Sequence, residues 1–284
     1  MSGVSWDAFL RRAKSDLAKA NIDNAAEEAR WLVKLVAHQS SADLIARGGE
    51  VIPQQTLERL EDALIRRSAH EPLQHIVGET EFFGITLKTD GRALIPRADS
   101  ECVVELGMAC LPSGLTGTIA DLGAGTGALL IAIMQRRVGL RGIAVERSEP
   151  AAGLTTENLE RTGLAGRAVC FSGSWTEWTG WGDCDLIISN PPYIRSDVIP
   201  TLAPEVREHD PIEALDGGTD GLAAYREIIG LGAEHMKPGA WLVFEIGYDQ
   251  KNAVTELLAQ RGFTDLQHAQ DLGGHDRAIA AKHA

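Results

Sequence analysis

Thr118-Ile119-Ala120-Asp121-Leu122-Gly123-Ala124-Gly125-Thr126-Gly127 runs from a short apolar strand into a glycine-rich turn, and the residues from Gly127 to Arg136 carry a helical pattern. Glycines at 123, 125 and 127 let the backbone turn sharply and let a ligand approach it closely. N–H groups at the start of the following helix favour a negatively charged group. Dinucleotide-binding domains use a related loop, and a bare strand-to-helix turn needs no ligand at all, so the loop alone names no cofactor. It does set the fold class. From about Ser100 onward strands and helices alternate, which implies a parallel sheet flanked by helices. Strands are predicted over Thr118 to Leu122, Gly142 to Glu146, Ala168 to Phe171, Leu186 to Ser189 and Trp241 to Ile246. Helices are predicted over Gly127 to Arg136, Pro150 to Arg161, Gly221 to His235 and Gln250 to Arg261. Right-handed crossovers assemble these into one doubly wound, Rossmann-like sheet, with Arg277 to Ala281 as a returning edge strand.

Upstream the pattern is helical. Phe9, Ala13, Leu17 and Ala20 share one face, Ala25, Ala29, Leu32, Val33 and Val36 the next, and Gln54 to His70 carries Leu57, Leu60, Leu64 and Ile65 at helical spacing. Ser5 and Asp23 are the expected N-caps. Apolar faces at this spacing are usually core, so residues 1–76 read as a small helical bundle that packs, or binds a partner, without chemistry of its own. Between Glu71 and Pro96 the period changes. Phe82, Phe83, Ile85 and Leu87 lead to Thr89-Asp90-Gly91, and Ala93-Leu94-Ile95 follow, which predicts a β-hairpin with an Asp-Gly turn. Residues 77–98 are then a hairpin linker and residues 99–284 the α/β domain.

Composition narrows the partners. Lys plus Arg number 27 against 40 Asp plus Glu, a formal charge of -13, and basic residues cluster only in pairs such as Arg11-Arg12, Arg66-Arg67 and Arg136-Arg137. Such a field repels a nucleic-acid backbone, so direct nucleic-acid binding is not expected. Hydrophobic residues make up 44% of the chain, yet no apolar run reaches membrane-span length and the N-terminus lacks a signal-peptide pattern. A cytoplasmic protein without membrane contact is the expectation. Cys102, Cys110, Cys170 and Cys184 have no metal-ligand spacing and read as buried thiols, and no metal site is expected.

Three further stretches complete the reading of the α/β domain. Glu146 ends the second strand, where a carboxylate can take both hydroxyls of a ribose. Trp175 follows the third strand and can lie against an adenine ring, although Trp178 and Trp181 stand nearby and leave the choice of tryptophan open. Asn190-Pro191-Pro192-Tyr193 ends the fourth. The prolines fix φ and push Asn190 out of the helical region, so the Asn190 carboxamide oxygen and the next carbonyl can both accept from one planar NH₂ group. Tyr193 can cover its flat face. Methyl transfer to an amide or an exocyclic amine suits such a turn; a plain Pro-Pro strand terminator is the bland alternative.

Taken in succession, these elements resemble class I S-adenosylmethionine-dependent methyltransferases. The likeness is closer still. Gln74-His75-Ile76-Val77-Gly78, Glu81-Phe82-Phe83-Gly84, Leu94-Ile95-Pro96-Arg97, the Asp121 to Gly127 loop and Asn190 to Ile194 are similar in order and spacing to the HemK/PrmC family. So are Glu213 to Gly218, Asp220-Gly221-Leu222, Tyr225-Arg226, and Glu245-Ile246-Gly247 with Gln250. These are protein-(glutamine-N5) methyltransferases acting on the Gly-Gly-Gln glutamine of peptide-chain release factors. The resemblance implies S-adenosyl-L-methionine as cofactor, held by Gly123, Ala124, Gly125, Thr126, Gly127, Glu146, Trp175 and Asn190. It implies catalysis and substrate binding at Asn190, Pro191, Pro192 and Tyr193, and a helical N-terminal domain that orients the release factor. Glu146 stands where the family commonly has Asp, Ala98-Asp99-Ser100-Glu101 departs from its Pro-Glu-Thr-Glu type of segment, and Gly173-Ser174-Trp175 lacks the acid often found before the tryptophan. The alternatives are glutamine methylation of a large-subunit ribosomal protein and amino-methylation of a nucleic acid, and the negative charge argues against the latter.

Overall fold

A computed structural model describes residues 3–284. The chain divides into two compact units, one formed by the residues up to Gly78 together with Ala203–His209, the other by Glu79–Leu202 and Asp210–Ala284.

The first unit is helical: α1 (Trp6–Lys19), α2 (Ala25–Val36), α3 (Ser41–Arg47), α4 (Gln54–Ser68), α5 (Leu73–Val77) and, from far along the chain, α9 (Pro204–His209). Phe9, Leu17, Leu32, Val33 and Leu60 meet in its core with no exposed surface. At roughly 1.5–3 kcal/mol per buried large apolar side chain, this core is the unit's main support. Ser5 caps α1 as expected, its hydroxyl accepting from the Ala8 N–H. Asp23 does not cap α2. That place falls to Asn24, in the left-handed region at φ 50°, which makes no side-chain capping bond. The short α3, absent from the sequence reading, carries a capping box between Ser40 and Asp43. Arg67 is 5% exposed and reaches two carboxylates, Glu28 at 2.8 Å and Glu205 of α9.

The second unit opens with a hairpin of β1 (Glu79–Phe82) and β2 (Ile85–Lys88). Its turn is Phe83-Gly84, both at positive φ (53° and 74°), not Asp90-Gly91. Asp90 instead belongs to a loop that folds back on the following domain: Arg92 binds Asp90 at 2.8 Å and Glu157 at 2.8 Å. Ala93, expected in the second strand, packs against Ala151 and Leu154. After α6 (Glu101–Cys110) come β3 (Thr118–Leu122), α7 (Ala128–Arg136), β4 (Arg141–Glu146), α8 (Glu149–Arg161), β5 (Ala168–Ser172) and β6 (Leu186–Ser189). Then follow α10 (Ala223–His235), β7 (Trp241–Glu245), α11 (Lys251–Gln260), β8 (Thr264–Gln270) and β9 (Asp276–Lys282).

The seven strands lie in the order β5-β4-β3-β6-β7-β9-β8 and all run in one direction except β9, which is antiparallel to both of its neighbours, β7 and β8. Alternation along each strand splits the core into two layers. Ile119, Ile188 and Val243 face α6 and α7, whereas Ala120, Ile187, Leu242 and Phe244 face α10 and α11. The returning strand is not at the edge. Ala278, Ile279, Ala280 and Ala281 have no exposed surface, as a strand covered on both faces requires, and β8 pairs outside it. With its sequence Thr-Asp-Leu-Gln-His-Ala-Gln and two register shifts, β8 is a polar, irregular edge of the kind that resists pairing with other chains. Strand order reverses between β3 and β6, so their carboxyl ends, joined by a 2.6 Å bond from Ser189 Oγ to the Leu122 carbonyl, open the crevice where doubly wound sheets bind ligands. Among the described residues no helix is long and apolar enough to cross a membrane.

Candidate active site

A cavity of about 780 Å³ lies above the carboxyl ends of β3, β4 and β6. On one wall stands the glycine loop. Gly123, Gly125 and Gly127 all have positive φ (71°, 57° and 80°), which explains why glycine occupies each. The loop's own amides are largely in use: Gly123 N–H and Ala124 N–H donate to the Val145 carbonyl, Gly127 N–H to that of Ala124, and Gly125 N–H to Glu146 Oε2 at 2.9 Å. A phosphate cradle needs free amides, so this loop offers a ligand shape and close approach rather than the anion site that its glycines suggest in the sequence.

Two buried side chains of α8 fix the loop. Thr155 Oγ1 donates to the Gly125 carbonyl at 2.8 Å. Asn158 Nδ2 donates to the carbonyls of Thr126 and Lys88, while its Oδ1 accepts from Lys88 N–H at 2.7 Å. One carboxamide therefore ties the loop to the hairpin.

Asp121 ends β3 beneath the loop, 1% exposed. Its Oδ2 accepts from the Leu130 N–H at 3.3 Å, and Oδ1 has no partner. Burial pushes this carboxyl up to about 7, against the opposing effect of the Leu130 bond and with help from the nearby Glu146 charge. Asp121 and Thr126 line the cavity together with Gly123, Ala124 and Gly125; Gly127 sits behind, capping α7.

Glu146, 8% exposed, is held at both oxygens, by Ser148 N–H at 2.9 Å and by Gly125 N–H. Each carboxylate oxygen keeps a second lone pair directed elsewhere. The three tryptophans separate cleanly. Trp178 and Trp181 pack against each other in the core, ring centroids 5.7 Å apart and planes tilted by 47°, whereas Trp175 lines the cavity, its Nε1 donating to Glu227 Oε2 at 2.6 Å. Its ring passes close to the loop: a Cβ on Gly123 would lie 3.5 Å from Trp175 Cζ3.

Asn190 and Pro192 line the same cavity. The Asn190 carboxamide has no hydrogen-bond partner among the described residues. Pro191 and Tyr193 are not on the lining. Tyr193 turns its hydroxyl away to donate to Glu245 Oε1 at 3.2 Å. Glu245, 2% exposed, also accepts from Ser100 Oγ, and burial holds its carboxyl above the ordinary range although Ser100, Arg277 and Tyr193 all pull it down. Burial, followed by the Glu245 charge, likewise raises the Tyr193 hydroxyl.

The lining holds residues that the sequence reading gave no role: Asp121, Arg97, Arg147 and Glu227. Asp121 alone had a readable signal, an acid closing an apolar strand directly before the glycines. Thr155 and Asn158 had a weaker one, polar residues on the inner face of a predicted helix.

A doubly wound sheet with a glycine loop after its first strand, a carboxylate after its second and an amide-bearing turn after its fourth defines a class I S-adenosylmethionine-dependent methyltransferase fold. A methyltransferase from Pyrococcus furiosus shares that fold, at a TM-score of 0.53 and 15% identity over 81% of this chain and 98% of the other. Residues 8–78 match the PrmC N-terminal domain and residues 103–204 the methyltransferase small domain. The release factor glutamine methyltransferase of Caulobacter vibrioides is 37% identical over 97% of this chain and 94% of its own length. That of Agrobacterium fabrum is 35% identical, over 98% and 99%. The chain belongs to the release factor glutamine methyltransferase family.

Proposed function

We propose that this protein transfers a methyl group from S-adenosylmethionine to the side-chain amide nitrogen of the Gly-Gly-Gln glutamine of peptide-chain release factors, in the cytoplasm. The observation that carries the reading is Asn190, whose carboxamide has no partner among the described residues and which lines the same cavity as the glycine loop.

The residues present fit the cofactor. The cavity is large enough for a nucleoside with an amino-acid tail and a side chain besides, since ligand pockets commonly span roughly 300–1,000 Å³. Glu146 would take the ribose hydroxyls, Trp175 would cover the adenine, and the loop from Gly123 to Gly127 would pass close beneath. Asp121 Oδ1, buried and without a partner, suits a cationic ammonium.

S-adenosylmethionine, when bound, supplies an electrophilic methyl group on a positive sulfur. An amide nitrogen is a poor nucleophile because its lone pair is delocalised into the carbonyl, so the protein's task is alignment. Asn190 Oδ1 and the Pro191 carbonyl accept the two N–H bonds of the substrate amide, stabilising positive charge as it builds on nitrogen and aiming the lone pair at the cavity. The Pro192 ring walls the amide and excludes water. Tyr193 serves from behind, its ring beside the turn and its hydroxyl on Glu245. The helical unit orients the protein substrate.

The test is incubation with labelled S-adenosylmethionine and purified release factors, followed by mass mapping. Label on the Gly-Gly-Gln glutamine is expected; label on another residue or on nucleic acid overturns the reading.

A further inference from the structure

Gln250 stands just before α11, only 9% exposed, and spends its whole amide behind the Asn190–Tyr193 turn. Its Nε2 donates to the Tyr193 carbonyl at 3.0 Å and to the Gly221 carbonyl at 3.2 Å. Its Oε1 accepts from Gly247 N–H at 2.9 Å, while the Tyr225 hydroxyl, 3.4 Å from Oε1, gives its one hydrogen to the Glu245 carbonyl at 2.8 Å. Both donor hydrogens and the oxygen of one carboxamide are thereby engaged. The three partners come from three pieces of chain: the turn, the loop before α10, and the end of β7.

The turn is also packed closely from that side. A Cβ on Gly221 would fall 2.5 Å from the Tyr193 carbonyl oxygen and 2.7 Å from Gln250 Nε2, and one on Gly217 would fall 2.8 Å from the Pro192 carbonyl oxygen. Ile194 N–H donates to the Leu215 carbonyl and Gly217 N–H to that of Ile194, so the chain leaving the turn is paired with the same loop. Proline fixes φ at Pro191 and Pro192 but leaves ψ free. The turn's last peptide is held at both ends, its N–H, from Ile194, on the Leu215 carbonyl and its carbonyl, from Tyr193, on Gln250, which is the one side chain among these anchors.

We propose that Gln250 is a positioning residue for methyl transfer: it holds the Tyr193 peptide, and through it the direction of the Asn190 and Pro191 acceptors, without touching substrate or cofactor. This rests on the proposed acceptor role of Asn190. A misplacement on the order of 1 Å in such a site costs about 10²-fold in rate.

Gln250→Glu keeps the size and the acceptor for the Gly247 N–H but loses the two donors. It is expected to lower kcat on a release factor 10- to 100-fold while the Kd for S-adenosylhomocysteine and the KM for the release factor stay within about threefold. Gln250→Met, an apolar near-isostere, provides the same reading should the glutamate variant fail to fold. Combined with Asn190→Ala, the change at 250 is expected to cost less than threefold further, because the acceptor it aims is gone. An unchanged kcat in a folded variant, a loss confined to cofactor affinity, or full multiplication of the two losses overturns the positioning role and leaves the acceptor reading standing. Full activity of Asn190→Ala by itself overturns both.

Discussion

Asn190 and Asp121 are the two residues whose environments ask most of the protein, for opposite reasons. Asn190 is half-buried with its carboxamide uncommitted, so its removal costs the fold little. Asn190→Ala should therefore lower kcat for glutamine methylation at least 100-fold, with the cofactor Kd within about threefold of wild type, as titration calorimetry with S-adenosylhomocysteine would show. Equal losses in both would remove the acceptor role. Asp121 carries a cost. Its carboxyl is pushed up to about 7 in the folded chain from 3.8, chiefly by burial. The folded state therefore holds a proton that the unfolded state releases, and stability falls as pH rises from about 4 to about 7. At about 1.4 kcal/mol per unit, this group alone removes several kcal/mol across that window in the ligand-free protein. Asp121→Asn is nearly isosteric and cannot ionise. The difference in Tm between Asp121→Asn and wild type should shift in favour of the variant from pH 4 to pH 8; a constant difference between the two proteins would show that Asp121 does not titrate in this range.

At the scale of elements, what the sequence discloses depends on whether the signal is local. The parallel strands were legible because each is a short apolar run ending in a polar or glycine residue, and β3, β4 and β6 fall where those runs do. β8 was not, since its seven residues carry two hydrophobic ones and it is defined by pairing with β9. The hairpin turn was misplaced because Asp-Gly is the stronger local signal, whereas Phe83-Gly84 wins through the pairing of Phe82 with Ile85 and through Arg92 drawing Asp90 toward α8. Site residues divide the same way. The loop from Gly123 to Gly127, Glu146 and the Asn190 turn declare themselves by position after strands, but Asn158 acts across 70 residues of sequence on Lys88. Its three bonds satisfy buried backbone groups of β2 and of the glycine loop. Asn158→Ala should destabilise the protein by about 2–4 kcal/mol, given the cost of stranded buried polar groups. Urea unfolding should show a lower midpoint at unchanged slope; a shift under 1 kcal/mol would mean that water or a shifted backbone replaces these bonds.

Across the whole molecule, the residues proposed for chemistry and the helices proposed for recognition fall into units with separate cores. Every residue proposed to hold cofactor or glutamine belongs to the α/β unit, while Phe9, Leu17, Leu32 and Leu60 build a helical core that contains none of them. One piece of chain departs from this division: α9, lying in sequence between the Asn190 turn and α10, joins the helical unit through Glu205 and the buried Arg67. A helical unit that only stabilised the enzyme would affect all substrates alike, whereas one that orients a release factor affects only substrates large enough to reach it. Deletion of the residues up to Gly78 should therefore raise the KM for an intact release factor at least tenfold, about 1.4 kcal/mol of lost binding. On a short Gly-Gly-Gln peptide kcat/KM should change less than threefold. The peptide measurement also reports any disturbance to α9, which loses its Arg67 partner in the truncated chain. Parallel losses on both substrates would assign the helical unit a structural role, and an unchanged release-factor KM would exclude it from recognition.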